Sequence, residues 1–99
     1  MKTKQLKIGK YVIVNGMPIM FPLELVHSDV VSQAQSAGFF VLRVTAYEVD
    51  VYCWGESTSL NLRSNQGQDA HIIKDFISTI SDISHKFAAG SGVAGSHFA

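Results

Sequence analysis

Tyr11-Val12-Ile13-Val14-Asn15-Gly16-Met17-Pro18-Ile19-Met20-Phe21 decides the fold. Two apolar runs flank an Asn-Gly pair, and both turn residues accept the positive φ of a tight type I′ turn. A two-residue turn sets Val14 opposite Met17, Val12 opposite Ile19 and Lys10 opposite Phe21. Tyr11, Ile13, Pro18 and Met20 then share the other face of the hairpin. Pro18 has no N–H to give a ladder, so its strand belongs at a sheet edge or its amide position is non-bonded. Both faces are apolar, and at least one is therefore expected to be covered.

Working outward, Pro22 reads as a corner or a first-turn helix residue. Leu23, Val26, Val30, Ala34 and Ala37 recur at helical spacing, predicting a helix that starts at Pro22 or at the Ser28-Asp29 cap and stops at Gly38. A second hairpin follows, Phe39–Tyr47 with Val49–Gly55. A turn at Tyr47-Glu48 places Ala46, Val44 and Leu42 opposite Val49, Val51 and Cys53 as a core face, and a shift of register by two keeps the same faces. Ser59–Arg63, with Leu60 and Leu62 alternating, is a candidate short fifth strand. Asn65 and Gln68 have capping-box spacing. Ile72, Phe76, Ile80, Ile83 and Phe87 form the stripe of a helix running to about Phe87, with His85 and Lys86 suited to its C-terminal dipole and Gly90 as its stop.

The expected architecture is therefore α+β: two layers, a four- or five-stranded mainly antiparallel sheet with two helices on one face, in the order β-β-α-β-β(-β)-α. Residues 1–9 read as a basic N-terminal arm, 10–87 as a single domain, and 88–99 as a Gly/Ser/Ala tail. Ninety-nine residues suit one domain with one modest core. The charged fraction is 16% against a usual ~25%. Low charge beside six Phe, three Tyr and one Trp leaves apolar surface over once a small core is filled. Self-association, most simply a homodimer, is the natural outlet.

Cys53 is the single cysteine, which excludes an internal disulfide framework. The early apolar stretch is broken by Asn15-Gly16 and Pro18, and no apolar run approaches a membrane span, so a cytoplasmic setting without membrane association is expected. Net charge is zero, yet Lys2, Lys4, Lys7 and Lys10 are half of the eight basic residues. With Tyr11, and with Tyr52 and Trp54 as stacking rings, they are the candidates for nucleic-acid contact.

Motifs for catalysis, metals and cofactors fail on context. Gly90-Ser91-Gly92-Val93-Ala94-Gly95 fits the dinucleotide pattern by letter, but a helix precedes it and no acid follows. Gly55-Glu56-Ser57-Thr58-Ser59 lacks both the last glycine and the following helix of a nucleophile elbow, and reads as a hydroxyl-rich turn. His71 and Asp75 form a helical pair that lacks a third ligand. Strand alternation puts Cys53 among aliphatic residues, where a thiol is inert. An enzyme or small-ligand binder would require His27, His71 and Cys53 to converge. No catalytic residue, metal site or cofactor is assigned.

The face that carries Phe39, Val41, Arg43, Tyr52 and Trp54 is different. Trp, Tyr and Arg dominate interaction hot spots, and a guanidinium beside aromatic rings is a favourable neighbour. These five are the interface candidates for a non-enzymatic protein-interaction module.

Tyr11–Pro22, Ser36-Ala37-Gly38-Phe39 and Cys53–Leu62, with its Gly-Glu-Ser-Thr-Ser-Leu run, carry a resemblance. Over Lys10 to Ile77 the chain resembles a family of short, uncharacterised bacterial and prophage proteins. The resemblance implies an origin and no activity, so no functional residue is transferred.

Overall fold

The computed structural model describes residues 5–46 and 48–90, with side chains as far as residue 80. The elements are β1 (Gln5–Val14), β2 (Met17–Phe21), α1 (His27–Val30), β3 (Ser36–Val44), β4 (Val49–Trp54), β5 (Glu56–Ser57), β6 (Leu62–Arg63) and α2 (Gln66–Gly90). This is the expected α+β class. The main sheet is antiparallel, with strand order β2-β1-β3-β4.

The first hairpin forms in the expected register, Val14 opposite Met17 and Lys10 opposite Phe21. Asn15 and Gly16 take φ of 52° and 77°, as a type I′ turn requires. Pro18 lies in β2, at an edge of the sheet. The second hairpin uses the shifted register, Val44 opposite Val49, Leu42 opposite Val51 and Phe40 opposite Cys53. Its turn lies one residue earlier than Tyr47-Glu48, and Thr45 N donates to Glu48 O at 3.0 Å to close it. The faces are unchanged by the shift.

Alternation divides the sheet into two apolar faces. On one, Tyr11, Ile13, Phe40, Val51 and Cys53 pack with Ile73 of α2. On the other, Val12, Phe21 and Ala37 pack under Val30, Val31, Ala34, Leu60 and Leu62. The helices thus lie against opposite faces of the sheet, and the expectation of both on one face is corrected. A hairpin that is apolar on both sides needs a cover on both sides, and the connection through α1 together with the β5–β6 ribbon supplies the second.

The helix predicted from Leu23 to Ala37 shrinks to the four residues of α1. Ser36, Ala37 and Gly38 are instead drawn into β3, opposite Ile13, Val12 and Tyr11. Burial of that ladder outweighs the propensity of a segment that carries β-branched Val26, Val30 and Val31. Only part of the predicted stripe is covered; Leu23 and Val26 are each 45% exposed. The fifth strand is also reassigned, since Leu62–Arg63 pairs with Glu56–Ser57 in a ribbon separate from the main sheet.

Gln5 to Gly9, read as part of an arm, are strand residues that pair with Phe40–Val44. Lys2 and Lys4 lie outside the described residues, as does the tail beyond Gly90. At the start of α2 the expected capping box is rearranged. Asn65 N donates to Asp69 Oδ2 at 2.9 Å, while Gln68 Oε1 accepts from Asn65 Nδ2 at 2.7 Å.

Candidate interaction surface

β3 and β4 place the five interface candidates side by side. Phe39 is opposite Trp54, Val41 opposite Tyr52 and Arg43 opposite Asp50. The Phe39 and Trp54 rings stack with centroids 6.0 Å apart and an interplanar angle of 22°. Arg43 donates to Asp50 Oδ2 through Nε, at 3.1 Å, and through Nη2. The carboxylate that accepts these bonds holds the guanidinium more firmly protonated. Lys10 closes one side, with Nζ 5.8 Å from the Phe39 centroid and donating to Leu25 O at 2.7 Å.

The covering layer stops short of this end of the sheet. Tyr52 is 57% exposed and Trp54 40%, and Phe39, Val41 and Arg43 are half-buried. On β1, Ile8 lies opposite Val41 and Leu6 opposite Arg43, exposed by 56% and 64%. They extend the surface by two aliphatic side chains that the sequence reading had assigned to the arm. Their signal was available: Leu6, Ile8, Lys10 and Val12 keep the period of two that marks the hairpin strand.

The nucleic-acid candidates are not gathered in this way. Lys7 is exposed, on the same face as Tyr11 and Ile13; Lys10 points to the other face, engaged as described. Tyr11 is fully buried and offers no ring for stacking, which corrects its assignment. Its hydroxyl donates to Asp69 Oδ2 at 2.5 Å and lies 2.6 Å from Ser64 Oγ. Burial, reinforced by the Asp69 carboxylate, pushes the phenol well above its ordinary range and keeps it neutral.

His27, His71 and Cys53 do not converge. His27 is buried between Phe21 and Phe39, in T-shaped contact with both rings, with Nε2 2.9 Å from Gly38 O. Cys53 is on the other face, beside Tyr11 and Ile73, and burial pushes its thiol up to about 11. His71 lies on α2 with Asp75 at 3.3 Å, both exposed. Among the described residues no three His, Cys, Asp or Glu side chains are placed to share a metal ion.

A cleft of about 430 Å³ opens at the start of α2, between Gln35, Arg63, Asn65 and Gln68. Asp69 lines it, but its Oδ2 already accepts from Tyr11 and from Asn65 N, so the carboxylate ties α2 to the sheet. Ser57, in the hydroxyl-rich turn, is buried and accepts from Leu60 N at 3.1 Å; Ser59 accepts from Ser28 N at 3.1 Å. These hydroxyls satisfy local backbone and pin the ribbon to α1.

No family model, curated protein or solved structure matches the chain. No helix among the described residues is long and apolar enough to cross a membrane.

Proposed function

We propose that this chain is a small, non-enzymatic protein-interaction module of bacterial or prophage origin. It self-associates through the open end of the sheet, where Leu6, Ile8, Phe39, Val41, Arg43, Tyr52 and Trp54 lie together. One observation carries the reading: large side chains of β1 and β4 stand exposed on one face with half-buried Phe39 and Val41 of β3 between them, beside a covered stretch of the same face. Contiguous apolar surface of this kind, edged by an ion pair and a lysine, is the usual character of a protein-binding patch. Aromatic and arginine side chains at its centre supply the anchors. The unpaired, buried thiol of Cys53 is in keeping with a cytoplasmic setting.

Sedimentation across a range of concentrations tests the proposal. The wild type is expected to form dimers, and Trp54→Ala, folded by circular dichroism, to shift toward monomer. A wild-type chain that stays monomeric into the high micromolar range overturns it.

A further inference from the structure

We infer that two copies of this chain join edge to edge, β4 pairing antiparallel with itself about Val51 to make one continuous sheet. The inference rests on the self-association proposed above and specifies its geometry.

The hydrogen-bond parity of β4 is set by the turn that precedes it. Thr45 N donates to Glu48 O, so residues 45 and 48 are a bonded pair of the β3–β4 ladder. In an antiparallel ladder such pairs alternate with non-bonded ones. Asp50, Tyr52 and Trp54 therefore direct their amides and carbonyls to β3, and those of Val49, Val51 and Cys53 point away from the sheet. β4 is the last strand in its sheet, and no other strand among the described residues pairs with its outer side. The strand contains no proline and no lysine, the devices that blunt an open edge.

The opposite edge is built differently. With Val14 and Met17 closing the tight turn, Ile19 and Phe21 are bonded to β1, and Pro18 and Met20 face outward. Pro18 has no N–H to offer, so β2 is poor in outward donors. One edge is blunted and the other is not.

A second copy satisfies β4 better in one register than in its neighbours. A two-fold axis normal to the sheet and passing through a residue of β4 keeps the α2-bearing faces of both copies on one side; an axis between residues would set outward amides against residues whose amides point to β3. Centred on Asp50, pairing sets that carboxylate against itself, which is repulsive. Centred on Tyr52, it sets Val49 against Gly55, whose φ of 86° leaves the strand conformation. Centred on Val51, it sets Val51 against Val51 and Val49 against Cys53 of the second copy. All outward amides and carbonyls of these residues then find partners, roughly six bonds in all. On the other face Asp50 meets Tyr52 and Glu48 meets Trp54, each a carboxylate acceptor opposite an O–H or N–H donor. The contact is isologous and adjoins the exposed aromatic surface.

Cysteine cross-linking and hydrogen exchange test this. Asp50→Cys and Tyr52→Cys, purified separately, are mixed and mildly oxidised, with the wild type as the control for Cys53. The mixture is expected to give disulfide-linked dimer roughly tenfold or more above either variant alone, because only opposed residues come within bonding reach. Comparable dimer from Tyr52→Cys alone, or from Asp50→Cys alone, places the axis elsewhere and overturns the register. In the wild type, exchange of the Val49, Val51 and Cys53 amides is expected to slow about tenfold when nine chains in ten are paired. A dimer by sedimentation whose three amides still exchange freely overturns edge pairing and leaves a face-to-face contact. A chain that remains monomeric overturns the self-association itself.

Discussion

The two ends of β1 are made of similar residues and meet opposite fates. Tyr11, Val12 and Ile13 are between 0% and 2% exposed, sealed by α2 on one face and by α1 with the β5–β6 ribbon on the other. A few residues earlier, Leu6 and Ile8 stand in water with Lys7 between them. Residue type does not distinguish Ile8 from Ile13; the layer above them does. One end of the strand is committed to holding the fold together, and the other is left uncovered.

Substitutions along this gradient are expected to separate folding from association. Ile13→Ala, at the sealed end, removes most of a buried aliphatic side chain and should cost about 2–5 kcal/mol in denaturant unfolding. Gly38→Ala should be next. A Cβ there meets Trp54 O at 2.6 Å and Ser64 Cβ at 3.0 Å, and forcing them apart should cost about 1–3 kcal/mol by the same assay. If Gly38→Ala proves neutral, the sealed end is looser than its distances imply.

Tyr11→Phe keeps the ring and deletes the hydroxyl that serves Asp69 and Ser64, with an expected loss of about 1–3 kcal/mol. It should also change the alkaline limb of the stability curve. Burial raises both the Tyr11 phenol and the Cys53 thiol, the latter from 9.0 to about 11. The folded state then holds protons that the unfolded state releases, so stability is full below the unfolded values and falls as pH climbs from about 9 toward 11. Denaturant midpoints between pH 8 and pH 11 should fall less steeply in Tyr11→Phe than in the wild type. The smallest folding effect belongs to the open end. Ile8→Ala should lie within about 0.5 kcal/mol of the wild type in unfolding. Sedimentation of this variant then separates two geometries: an unchanged dimer fits pairing along β4, two strands away from Ile8, a weakened one fits a contact through the sheet face, and a large folding loss would show that Ile8 belongs to the core.

Much of this arrangement was legible in the sequence, for identifiable reasons. Asn15-Gly16 specifies its hairpin locally, so the register from Val14–Met17 to Lys10–Phe21 follows from turn chemistry alone. The five interface candidates share a face because period-two alternation survives a shift of two in register. Local signals failed where distant pairing decided the outcome. Ser36-Ala37-Gly38 looks like the end of a helix until Tyr11–Ile13 is there to pair with it. Leu6 and Ile8 are masked by the neighbouring lysines, whose charge pattern resembles a solvated arm while the period-two alternation marks a strand. The Tyr11–Asp69 bond joins residues far apart in the chain, and no local pattern announces it.

Pro18 has one more consequence. A sheet able to recruit a neighbour at a single margin exhausts that margin on the first addition, because the far border of each copy presents an imino ring where a donor would be needed. On the β4 pairing proposed above, growth would terminate at two subunits, and concentrated solutions are expected to stay clear of filaments and turbidity. Replacing the proline would reopen the second border to polymerisation.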